Sequence, residues 1–191
     1  MKTLMLVLFF YCFTPAWAAA PVDTNIAGAS LIGGAFNLIN NTGKQVTERD
    51  YQDKYMLVFF GFTNCPSVCP LGLSRMAKAL KKIDNFEDKI TPLFITVDPE
   101  RDTPERMTLY LEQYHSYFVG LTGSDAQLEQ VSTAYRAYSF KSQDPNSDSY
   151  SFDHSSMIYF MDKEGRYITH FSNQITVDEM SSIIRKNIEE K

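Results

Sequence analysis

The sequence predicts an α/β fold, a central mixed sheet flanked by helices on both faces. Three observations predict it. Residues 56–60 form a continuous apolar run of the kind found in a strand buried on both faces, and residues 71–84 follow with helical spacing. A second apolar run at 93–97 leads into a capped helix, and the chain closes with a hairpin and an amphipathic helix.

The elements follow in order. Residues 36–39, a turn at Asn40-Asn41-Thr42-Gly43 and residues 44–47 make an edge hairpin. The central strand comes next. In the helix after it, Leu73, Met76, Ala77, Leu80 and Ile83 fall near one face. After the strand at 93–97, Thr103 is an N-cap and Pro104 suits the first helical position, with the helix running to about His115. Residues 117–121 form a short strand. Ser124 and Gln127 make a capping box that opens a helix through Leu128, Val131, Tyr135 and Tyr138. Residues 141–150 are polar and read as a surface loop. Residues 156–161 and 166–171 pair around Asp162-Lys163-Glu164-Gly165. Thr176 and Glu179 cap a last helix whose inner face is Val177, Met180, Ile183, Ile184 and Ile188.

At 191 residues the chain suits one domain, expected over 33–191 behind a linker at 21–32. A net charge of −5 with no basic patch argues against nucleic acid as a partner. Residues 1–20 carry Lys2, an apolar run, Pro15 and an alanine cluster, and read as a secretory signal peptide. The alternative is an uncleaved membrane anchor, since residues 3–22 lack charge and are long enough to span a bilayer. Either reading places the domain in an exported, periplasmic setting.

Removal of that segment, with Cys12, leaves Cys65 and Cys69. A bridge between residues four apart closes too small a loop to constrain the unfolded chain much, so stapling is a poor reason for the pair. The two sit where the central strand gives way to a helix, and the positive end of the helix dipole favours thiolate there. Two sulfurs on a first helical turn can face one metal ion; soft sulfur selects Cu(I) or zinc, and a third ligand is needed. His154, between the polar loop and an apolar strand, is the candidate. It competes with His115, in a last helical turn, and with His170, a packed or edge residue of a strand. Asp98 ends a strand, where functional groups of open α/β sheets gather. It reads either as a partner of the site or as a turn-forming Asp before Pro99.

Gly61-Phe62-Thr63-Asn64-Cys65-Pro66-Ser67-Val68-Cys69-Pro70, then Val97-Asp98-Pro99-Glu100-Arg101-Asp102-Thr103-Pro104, Val119-Gly120-Leu121-Thr122-Gly123 and Asp153-His154 together resemble the Sco/SenC proteins. The resemblance implies a thioredoxin-like fold. It implies one copper ion, Cu(I) or Cu(II), held by Cys65, Cys69 and His154, with Asp98 near the site. The implied role is copper delivery to an oxidase subunit, or thiol reduction of a target, during assembly of the dinuclear copper centre of cytochrome c oxidase. Two positions depart from the family: it usually has Asp at Ser67 and often an aromatic residue or His at Asn64. Losing a carboxylate between the cysteines should ease thiolate formation. A separate enzymatic reading is thiol–disulfide exchange through Cys65 and Cys69. A third, a thiol peroxidase, would need a nearby cation such as Arg75.

Overall fold

The computed structural model describes residues 32–143 and 149–189. The signal peptide or anchor expected at residues 1–20 and almost all of the linker lie outside the described residues. Among the described residues, no helix is long and apolar enough to cross a membrane.

Seven strands form one mixed sheet. They are β1 (Asn37–Asn40), β2 (Gln45–Thr47), β3 (Tyr55–Gly61), β4 (Ile90–Thr96), β5 (Val119–Thr122), β8 (Ile158–Met161) and β9 (Tyr167–Phe171), in the order β2-β1-β5-β4-β3-β8-β9. The β3–β4 and β4–β5 pairs are parallel, and the rest are antiparallel. Every residue of β3 and β4 is buried, which is why both are dominated by apolar side chains. Strand β4 starts at Ile90, earlier than the apolar run suggests, and passes through Pro92. Its β5 ladder begins only at Leu93↔Val119, so position 92 has one side with no partner awaiting an N–H.

The helices are α1 (Val68–Leu80), α2 (Phe86–Lys89), α3 (Pro104–Glu112), α4 (Asp125–Tyr135) and α5 (Val177–Glu189). Successive side chains of β3 point to opposite faces and so sort these layers. Phe59 meets α1, where a Cβ on Gly72 would come within 2.9 Å of its ring. Phe60 meets α4, its ring tilted against Tyr135 at 5.5 Å. Phe94, opposite Phe59 in the parallel register, carries Tyr110 of α3 on its ring, so α3 shares the α1 face. Helix α5 packs beside α1. The right-handed crossovers β3–α1–β4 and β4–α3–β5 step the same way along the sheet and put both helices on one side.

Most local expectations hold. Thr103 caps α3 by accepting from the Arg106 N–H, and the capping boxes Ser124/Gln127 and Thr176/Glu179 are both formed. Others shift. Helix α1 begins at Val68, because Pro70 in a first turn gives up an N–H that had no acceptor anyway. It ends at Leu80, and residues up to Ile83 continue as tighter turns. Helix α3 stops at Glu112, so His115 lies beyond it with its ring against Phe86 at 5.3 Å. Helix α4 stops at Tyr135, where Arg136 turns left-handed at φ 53, so Tyr138 falls outside it. Ile183 is 38% exposed rather than inward.

The surface loop expected at 141–150 is corrected by the structure. Its two ends belong to a separate two-stranded sheet, β6 (Ser139–Gln143) and β7 (Tyr150–His154), paired from Ser139↔His154 to Gln143↔Tyr150. The polar composition that suggests a loop comes from an exposed hairpin that buries little on its outer face.

The layers depend on the ring at position 60. It is fully buried between Tyr135 and Tyr159. Phe60→Ala should cost about 3–5 kcal/mol, read as a fall in the urea midpoint of the metal-free protein.

Candidate metal centre

The cysteine loop leaves β3 at Gly61 and enters α1 at Val68. Only Cys69 lies on the helix; Cys65 precedes it, contrary to the expectation of two sulfurs on one helical turn. The two still meet, because Cys65 performs the cap. Ser67 occupies the N-cap position but makes no side-chain cap bond there. Instead the Cys69 backbone N–H, one of the orphan donors of the first turn, donates to Cys65 Sγ at 3.4 Å. A helix start thus delivers both its dipole and an N–H to one sulfur.

His154 ends β7 and faces the same point. Its Nε2 lies 3.3 Å from Cys69 Sγ across 85 residues of sequence. The two sulfurs and one imidazole nitrogen all lie within 4.8 Å of one another. His154 Nδ1 sits 2.9 Å from the Ser155 carbonyl, which has no proton to give. Nδ1 is therefore the protonated nitrogen in the neutral ring, and Nε2 turns its lone pair to the sulfurs. Phe59 and Phe62 wall the imidazole edge-on at 6.3 and 5.7 Å.

Both cysteines are free thiols. Donation from the Cys69 side chain lowers the Cys65 thiol, helped by backbone N–H groups, while burial opposes it. The same contact and complete burial raise Cys69. The outer sulfur is therefore the more acidic of the two.

Two features of the surroundings carry weight. A Cβ on Gly61 would sit 2.7 Å from Cys69 Sγ and 2.8 Å from the Phe94 ring, so only glycine leaves room for the inner sulfur. Asp102, fully buried, accepts from the Thr63 N–H at 3.0 Å, the Thr63 hydroxyl at 2.6 Å and the Thr96 hydroxyl at 2.6 Å. It ties the cysteine loop to the end of β4. Burial raises its carboxyl, and its charge in turn helps raise Cys69.

Sequence reasoning missed Asp102 in favour of Asp98. Asp98 is buried at the end of β4, but its carboxylate is engaged by Arg101 and by the Tyr150 hydroxyl, one step removed from the sulfurs. Alternation along the chain cannot say which of two aspartates four apart turns inward. His170 lies on the edge strand β9 beside Tyr167, away from the cluster. The β7 strand had a usable signal: Tyr150, Phe152 and His154 alternate with Ser151 and Asp153.

These features define a thioredoxin-like protein carrying a sulfur–sulfur–imidazole cluster at the strand-to-helix junction. The SCO1/SenC family model matches residues 24–189. Protein sco1 of Schizosaccharomyces pombe is 40% identical over 160 residues, 82% of this chain. The chain spans 61% of that protein and about half the length of the Arabidopsis thaliana and human SCO1 homologues, at 48% and 53%. Arabidopsis thaliana ScoI with copper bound superposes with a TM-score of 0.79 at 38% identity, covering 84% of this chain and 99% of that one. Bradyrhizobium japonicum ScoI with copper bound gives 0.75 at 38% identity, covering 81% and 98%. The chain belongs to the SCO1/SenC family.

Cys69→Ala removes the donor that holds the Cys65 thiolate. A lost donor favours the protonated form, so the titration must move upward. The midpoint for alkylation of Cys65 in the reduced, metal-free protein should rise by about one to two pH units.

Proposed function

We propose that this protein is a copper metallochaperone. It binds one copper ion, as Cu(I) or Cu(II), through Cys65, Cys69 and His154. It hands the ion to a copper-receiving oxidase subunit, or another copper protein, during assembly of the dinuclear copper centre of cytochrome c oxidase. The observation that carries this reading is the convergence of three donor atoms within 4.8 Å, one of them from far along the chain. A thiol redox pair needs no imidazole there; a metal site does.

The donor chemistry supports copper. Thiolates select Cu(I), and an imidazole nitrogen suits copper in either state. Structural zinc sites take four protein ligands, whereas this group offers three. The copper-bound structures of the Arabidopsis and Bradyrhizobium relatives support the same reading. The Ser155 carbonyl holds Nδ1 and keeps Nε2 available to the metal. We read residues 1–20 as an export signal or an anchor, which puts the domain in the periplasm, where such a centre is assembled.

A second reading has its own support. The lowered Cys65 thiol and the buried Cys69 beneath it suit thiol–disulfide exchange. Cys65 would attack a target disulfide, and Cys69 would then release the target as a dithiol and leave the pair oxidised. This reading makes no demand on His154.

Copper titration of the reduced protein should saturate at about one ion per chain. Cys65→Ser, Cys69→Ser and His154→Ala should each abolish tight Cu(II) binding. A His154→Ala protein that bound Cu(II) like the parent, and that exchanged thiols faster than a free thiol does, would favour the second reading.

A further inference from the structure

Strand β7 has one face turned to the body of the protein. Alternate residues share it, and they are Tyr150, Phe152 and His154. Each ring meets a different part of the molecule. His154 meets the sulfurs. Phe152 meets Phe62 edge-on at 5.6 Å. Tyr150 meets the turn after β4: its hydroxyl lies 2.9 Å from Asp98 Oδ1 and 2.9 Å from Glu100 Oε2. Its ring carries two cations, the Arg101 guanidinium at 3.7 Å and the Lys141 ammonium at 3.8 Å. Arg101 Nη1 also donates to the Tyr150 carbonyl at 3.1 Å, and Lys141 reaches back to Glu100 at 3.0 Å.

These contacts matter because, among the described residues, β6 and β7 pair only with each other. An isolated two-stranded ladder is marginal in water. At its base the ladder closes on itself, Ser155 N–H donating to the Tyr138 carbonyl and Tyr138 N–H to the Ser155 hydroxyl, both at 2.9 Å. Besides His154 itself, β7 is fastened to the body by the Phe152–Phe62 contact and, four residues from His154, by the Tyr150 cluster.

We propose that Tyr150 is a positioning residue for the metal ligand His154. It latches β7 to the Asp98–Arg101 turn and so keeps the imidazole over the sulfurs. The proposal rests on the copper reading above, with His154 as a ligand. Tyr150 makes no bond to the metal. Its effect is specific to oxidation state, because two thiolates can retain Cu(I), whereas Cu(II) needs the nitrogen. It also gives buried Asp98 a role one step away from the metal, as the anchor of the latch.

The test is the release of Cu(II) from the equimolar copper complex, driven by excess chelator and followed by stopped flow. Tyr150→Ala should release Cu(II) about ten- to a hundredfold faster than the parent. Cu(I) affinity, measured by competition with a chromophoric Cu(I) chelator, should change far less. Amide exchange across β6 and β7 in the metal-free protein should quicken. Tyr150→Phe keeps the ring between its two cations and should fall between the two. Release from Tyr150→Ala at the parent rate would overturn the latch, as would equal losses for Cu(I) and Cu(II). If Tyr150→Ala does not fold, Tyr150→Phe decides: faster Cu(II) release supports the latch and a parent-like rate overturns it. His154→Ala, run in parallel, separates the two ideas. Parent-like Cu(II) binding there defeats the copper reading itself; lost binding there with parent-like Tyr150 variants defeats the latch alone.

Discussion

The contact between Cys69 Sγ and His154 Nε2 constrains the rest of the structure. One atom comes from the first turn of a helix on one face of the sheet. The other comes from the end of a hairpin that is not part of that sheet. Holding the first requires β3 to be fully buried and to end in a residue without a side chain. Holding the second requires a bare hairpin to be fastened to the body through Phe152 and the Tyr150 cluster. The apolar core sets where the sulfurs sit, and a polar, aromatic cluster sets where the imidazole sits.

The electrostatics follow from that division. Asp102 places a buried carboxylate behind the cysteine loop, where it braces Thr63 and Thr96 and adds to the cost of a second thiolate at Cys69. In front, Ser67 stands where the family usually carries Asp, exposed and without a capping bond. The helix start is therefore capped by sulfur rather than by oxygen. The Cys65 thiol is lowered and the buried Cys69 thiol raised, so negative charge favours the outer sulfur.

Much of this was legible in the chain itself. The buried strand β3 is a continuous apolar run and β4 carries one at residues 93–95; two helix starts carry capping boxes and a third the Thr103 cap. The reactive pair was legible because prolines and a strand-to-helix change surround it. What could not be read has physical reasons. Helix α1 starts before Pro70 because a proline in the first turn loses nothing, so the residue looks like a boundary and is not one. The β6–β7 hairpin looks like a loop because its outer face is polar and its partner strand is only its neighbour. Asp102 and Asp98 differ by which way one turn of chain faces, a property of the packed end of β4 rather than of the residues. His154 was a candidate on position, but its approach to sulfur depends on contacts made four residues earlier.

Gly61 shows how far such a site reaches into the framework around it. The space where its side chain would stand is filled by the inner sulfur and the Phe94 ring. A methyl group there would leave the hydrogen bonding of the central strand intact and still evict the sulfur. Any descendant of this chain that keeps the dithiol must keep a bare hydrogen at that bend. A variant scored as a mild change in the sheet would in practice be a lesion of cargo binding.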